Sequence, residues 1–144
     1  MWLTSSDFAG KGKFPRVCTC EADDLSPALT WGEAPPQTRG FAHAGVGVCR
    51  HWSAYDNRAA VAGLARGEGR ATQEKFKQAV NFGRAGYGGP CPPRGHGAHR
   101  YRFRLLALSV GRLPVGKGAR CQNVEREAQK HMLAEVELVG TFER

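Results

Sequence analysis

Between His99 and Ala107 the chain alternates strictly. Tyr101, Phe103, Leu105 and Ala107 fall on one side, and Arg100, Arg102 and Arg104 on the other. A period of two rules out a helix here. It prescribes a strand with one face on a core and the other toward solvent or an anion. The run upstream, from Gly86 to Ala98, interleaves Gly86, Gly88, Gly89, Gly95 and Gly97 with Pro90, Pro92 and Pro93, and carries Tyr87, Cys91 and His96. The prolines fix φ, remove backbone donors and admit a cis bond. The glycines permit positive φ and close approach to the backbone. A constrained loop running into a rigid strand is how a binding site is built.

The remaining elements are short. Arg16 to Cys20 reads as a strand ended by the acidic turn at Glu21 to Asp24, and Ala28 to Trp31 as another. Phe41 to Trp52, rich in glycine and valine, reads as a strand. Thr72 to Val80 reads as one or two helical turns capped by Thr72. Asn123 reads as the N-cap of a helix with Val124, Ala128 and Met132 on one stripe, and Lys130 and His131 near its C-terminal end. Val136, Leu138 and Phe142 close the chain as a strand. The sum is one mainly β domain spanning residues 1–144, long enough to bury roughly 70% of its unfolded surface.

The net charge is +8, and its placement matters more than its size. Between Lys75 and Val124 lie ten Lys or Arg and no Asp or Glu; the other residues hold eleven basic and thirteen acidic side chains. The excess therefore surrounds the glycine–proline loop, where a positive field favours an anionic partner. The bland alternative is a solvated basic face. Specific nucleic-acid binding is not indicated, because no aromatic residues interleave with the arginines on the exposed strand face.

Five cysteines, Cys18, Cys20, Cys49, Cys91 and Cys121, follow an opening that lacks an apolar leader, and no stretch is apolar enough to cross a membrane. The expectation is a soluble protein of the reducing cytoplasm with free thiols. Cys18-Thr19-Cys20 lacks zinc-site spacing, and His96 with His99 lacks further ligands, so no metal or cofactor is expected. Cys91 and His99 could form a nucleophile and base, but no third, orienting group is placed by sequence; no catalytic residue is assigned.

Four segments resemble the phosphatidylethanolamine-binding protein family, in particular its bacterial, Raf-kinase-inhibitor-like branch. They are Cys18 to Trp31, the His51-Trp52 pair with Ala54-Tyr55-Asp56, the run from Asn81 through Phe103, and Ala128 to Arg144. The resemblance implies a large antiparallel Greek-key sheet packed on a smaller sheet, with a helix near the C-terminus. It further implies a non-catalytic surface pocket for phosphate, a phosphoryl ester or a phospholipid headgroup. By motif match the anion-binding residues would be His51, Cys91, Pro92, Pro93, His99 and Tyr101. Imidazoles, turn N–H groups and a phenol would supply the donors. The family's Asp-Pro-Asp-Ala-Pro segment is missing before His51, where the chain reads Gly45-Val46-Gly47-Val48-Cys49-Arg50. The alternative reading is therefore a protein-interaction module, a kinase or protease inhibitor, with a degenerate pocket.

Overall fold

The structure is a computed structural model describing residues 1–46, 50–70, 75–81 and 83–144, with the side chains of residues 46 and 50 also left aside. Its strands are β1 (Trp2–Thr4), β2 (Leu29–Gly32), β3 (Gly40–Val46), β4 (Arg50–Arg58), β5 (Gly63–Leu64), β6 (Lys77–Gln78), β7 (Val80–Asn81), β8 (Arg84–Ala85), β9 (His99–Leu108) and β10 (Met132–Phe142). The helix α1 spans Cys121–Lys130. A five-stranded sheet of order β10-β9-β3-β4-β6 faces a three-stranded sheet of order β1-β2-β5, and β7 with β8 forms a separate hairpin. Among the described residues every strand pairing is antiparallel.

The period-two strand organises both layers. Tyr101, Phe103, Leu105 and Ala107 of β9 are buried against Leu3, Leu29 and Trp31 of the small sheet. The other face of the large sheet divides in two. Toward the C-terminal end of β9, Leu106 and Leu108 pack with Ala42, Tyr55, Val124 and Ala128, so α1 covers that half. Arg104 sits at the boundary. Its guanidinium donates to Glu125 of α1 at 2.6 Å and to both carboxylate oxygens of Glu135 at 2.6 and 3.0 Å. Phe8 and Phe14 close one side of the inner core, with Phe14 stacked on Phe103 at 5.6 Å. Gly140 makes room for them, since a Cβ there would lie about 3.0 Å from both rings.

Several sequence expectations are corrected. Arg16–Cys18 is a 3-10 turn, not a strand. The Thr19 hydroxyl donates to the Arg16 carbonyl at 2.8 Å and accepts the Glu21 N–H, so a local side-chain bond displaces an extended conformation. Phe41 to Trp52 is two strands: β3 pairs with β4 from Gly40↔Arg58 to Val46↔Arg50. The reading of a helix over Thr72 to Val80 lies partly outside the described residues. Its remainder is extended, because the Ala79 N–H donates to Ser53 and the Val80 N–H to Ala119. Arg120, not Asn123, occupies the helix N-cap and makes no side-chain cap bond. Met132 leaves the helical stripe and begins β10, 40% exposed.

Candidate functional site

The N-terminal turn and the glycine–proline loop build the site against the end of the large sheet. Tyr87 donates its hydroxyl to the Cys18 carbonyl at 2.8 Å, and its N–H bonds the Gly69 carbonyl. The Gly89 N–H donates to Asp24 Oδ1 at 2.8 Å, and the Cys20 N–H to the Pro90 carbonyl at 3.2 Å. Gly89 is obligatory for packing: a Cβ would stand 2.2 Å from the Cys18 carbonyl oxygen and 2.4 Å from Asp24 Oδ1. Gly86 is obligatory for conformation, with φ at 108°. No cis peptide bond occurs among the described residues.

Across from this loop, β4 presents His51 and β9 presents Tyr101. Their rings meet edge to face, 5.7 Å apart. Trp52, Tyr87, Gly88, Pro90, Arg102, Phe103 and the bare backbone of Gly45 complete a small hollow. Its volume is about 10 Å³, room for roughly one water. Among the described residues no carboxylate lines it.

The titratable groups are tuned by burial. The His51 pKa is lowered, chiefly by desolvation, with a hydrogen bond to the Gly88 backbone and the Asp24 charge acting the other way. Its imidazole is therefore mainly neutral at pH 7. Burial raises the Tyr101 pKa, so its phenol stays protonated and able to donate.

Of the six residues singled out by sequence, the structure brings His51 and Tyr101 together. Cys91, Pro92 and Pro93 lie just beyond Pro90, outside the hollow's lining. Pro92 is buried, while Cys91 and Pro93 are exposed. His99, half-buried at the start of β9, also stands outside the lining; its ring is 5.8 Å from that of His96. Among the described residues no three potential metal-ligating side chains converge.

The expectation of free thiols is overturned for two cysteines. Cys20 and Cys91 form a disulfide, with Cα atoms 5.4 Å apart across 71 positions of sequence. Two facts concealed it: Cys18 and Cys20 read as one motif, and pairing across so long a separation is not deducible from spacing. Cys18 is buried, and desolvation pushes its thiol up to about 12. Cys49 lies outside the described residues.

Sequence reasoning also missed Asp24, Trp52, Tyr87 and Gly88 as site builders. Tyr87 and Gly88 lay within the flagged loop, but a loop's composition does not tell which of its residues turn inward.

Residues 4–143 match the family model described as phosphatidylethanolamine-binding protein. A UPF0098 protein of Aquifex aeolicus is 37% identical over 152 residues, covering all of this chain and 89% of its own length. A UPF0098 protein of Methanothermobacter thermautotrophicus is 31% identical over 153 residues, covering all of this chain and 99% of its own. The crystal structure of Escherichia coli YbcL, described as a member of the mammalian PEBP family, superposes with a TM-score of 0.92 at 27% identity, covering 99% of this chain and 97% of that one. The two-sheet architecture, the helix near the C-terminus and the glycine–proline loop thus have one explanation: the chain belongs to the phosphatidylethanolamine-binding protein family.

Proposed function

We propose that the protein is a non-catalytic binding module for a small oxyanion, either inorganic phosphate or the phosphoryl group of a headgroup ester. The observation that carries this is the pairing of His51 with Tyr101 in a hollow that, among the described residues, no carboxylate lines. Protonation of His51 would add a second N–H beside the one its imidazole gives the Gly88 backbone, the Tyr101 phenol offers an O–H, and the basic segment around them, with Arg102 in the lining, supplies the field. Anion binding would favour protonated His51, so affinity rises as pH falls through and below the ordinary histidine range. In the oxidised form Cys91 has no thiol to act as a nucleophile, which supports the non-catalytic reading for that form.

The test is an NMR titration with phosphate and phosphoethanolamine, read at the imidazole resonances of His51 and His99. Shifts at His51 that vanish in Tyr101→Phe, and shifts at neighbouring amides that vanish in His51→Ala, support the reading; imidazoles unmoved in both the oxidised and the dithiothreitol-reduced wild type refute it. Sulfate, which does not titrate near neutrality, isolates the pH dependence. Phosphoethanolamine binding more tightly than phosphate would identify a headgroup ester.

The small volume of the hollow favours a second reading, a protein-interaction module that acts on a kinase or protease through its surface. Inhibition retained in His51→Ala, without anion binding, would select it. Among the described residues no helix is long and apolar enough to cross a membrane. The cytoplasm stays the proposed location although the disulfide, uncommon in a reducing compartment, argues against it; fractionation checks it.

A further inference from the structure

The hollow is walled by Pro90, and the next residue is tied to the N-terminal turn by the Cys20–Cys91 disulfide. Both cysteines are exposed. Beside them Arg144 reaches in from the end of the chain. Its Nη1 lies 3.2 Å from Cys91 Sγ and donates to the Pro92 carbonyl at 3.4 Å, while its Nε donates to Glu21 at 3.3 Å. The Gly95 N–H returns a bond to the Arg144 carbonyl. Among the described residues a guanidinium bonds the Cys91 sulfur and not that of Cys20, which makes the two halves of the disulfide chemically unequal.

We infer that Cys20–Cys91 is a thiol–disulfide exchange site whose opening releases the Pro90 wall of the hollow. The leaving group in such exchange departs as a thiolate, and a positive charge beside it speeds departure. Arg144 therefore makes Cys91 the leaving sulfur and directs attack to Cys20. The thiolate of a cellular dithiol forms a bond to Cys20 Sγ; the Cys20–Cys91 bond breaks, and its electron pair stays on Cys91 beside Arg144. The second thiol of the reductant then closes its own disulfide and releases Cys20. Two electrons and two protons pass to the protein in all, leaving two thiols and an oxidised dithiol. Buried Cys18, with its raised pKa, takes no part.

The consequence for the site rests on the anion reading above. With the tether closed, the hollow has room for about one water, and a tetrahedral oxyanion is far larger. Breaking the tether leaves residues 91–97 held by Arg144, by surface pairs and by the buried Pro92 ring. Pro90 keeps its bond from Cys20, but no covalent restraint follows it. The opened form should admit the anion.

The experiment has two arms. In the first, the folded oxidised protein is treated with dithiothreitol, quenched by alkylation and mapped by mass spectrometry; glutathione traps the mixed disulfide. The expected result is reduction without unfolding, glutathione on Cys20 rather than Cys91, and a rate slower by on the order of threefold in Arg144→Gln but restored in Arg144→Lys. Resistance to reduction until the protein unfolds, or equal rates in wild type and Arg144→Gln, overturns the exchange site.

The second arm compares oxidised, reduced and Cys20→Ser/Cys91→Ser forms without ligand, by amide exchange at residues 87–97 and the His51 resonance, and then with phosphate. Faster exchange, a shifted His51 and severalfold tighter phosphate binding in both open forms support the gate. An unchanged loop and His51 overturn it. An altered loop and His51 with no phosphate bound in any form overturns the anion reading instead.

Discussion

His43 is buried in the inner core, edge to face with Trp31 at 4.7 Å and stacked on Trp52 at 6.2 Å. Its Nε2 and the Trp31 Nε1 both lack hydrogen-bond partners. Burial alone pushes its pKa from 6.5 down to about 3. The folded protein therefore keeps His43 neutral where the unfolded chain protonates it. The stability so stored is fully present above pH 6.5 and is lost as pH falls from 6.5 toward 3. Within that window the slope is about 1.4 kcal/mol per pH unit, which comes to about 2 kcal/mol between pH 7 and pH 5. His51, with its own lowered pKa, acts in the same direction, so the term must be isolated by difference. Leucine is close to histidine in volume and cannot titrate. Urea unfolding of wild type and His43→Leu at pH 7 and pH 5 should show the variant losing about 2 kcal/mol less. In the folded wild type, NMR should show a His43 imidazole that does not titrate between pH 8 and 5. Equal pH-dependent losses in the two proteins would refute the reasoning.

Gly89→Ala should cost roughly 1–3 kcal/mol or more in urea unfolding, because its Cβ would strike the Cys18 carbonyl and Asp24. Gly95→Ala sets the contrast: its Cβ meets nothing within 4 Å, so its cost comes only from φ at 76°. Arg104→Leu should destabilise by about 1–3 kcal/mol, by leaving Glu125 and Glu135 without the guanidinium that joins the helix to the sheet. Adding Glu135→Gln should recover part of that loss in a double-mutant cycle.

The period-two strand was legible because one side of β9 meets a core along its whole length, so burial writes itself into residue type. The end of the chain was legible for the same reason, with Leu138 and Phe142 buried in β10. Failures came where backbone bonds are non-local or side chains bond their own turn. Lys77 and Gln78 carry little strand character; they are extended because Tyr55 and Ala54 of β4 pair with them. The Arg16–Cys18 turn is set by one hydroxyl of Thr19. At the site, His51 and Tyr101 stood out as polar residues in recognisable motifs. The disulfide and the Asp24–Gly89 bond join parts of the chain 65 or more positions apart, and no local pattern announces them.

The loss of the Asp-Pro-Asp-Ala-Pro segment raises the question of what replaces its charge. Val46 pairs with Arg50, so only residues 47–49 connect β3 to β4, and Gly45 faces the hollow without a side chain. The acidic influence on His51 comes instead from Asp24, which reaches the loop from the N-terminal turn and raises the His51 pKa against the stronger effect of burial. Asp24 is already engaged: Oδ1 accepts the Gly89 N–H, and Oδ2 lies 4.0 Å from Arg84. It can tune the histidine without occupying the hollow. Asp24→Asn keeps an oxygen for Gly89 while removing the charge, so the wall should stand and the electrostatics alone should change. The His51 midpoint, followed by NMR, should move further down. At pH 7.5, where His51 is neutral in both proteins, sulfate should bind more tightly to the variant, because a like charge has gone. An unmoved His51 midpoint in a folded Asp24→Asn protein would mean that Asp24 is only a brace for Gly89, and that the shortened hairpin left the pocket with no acidic partner.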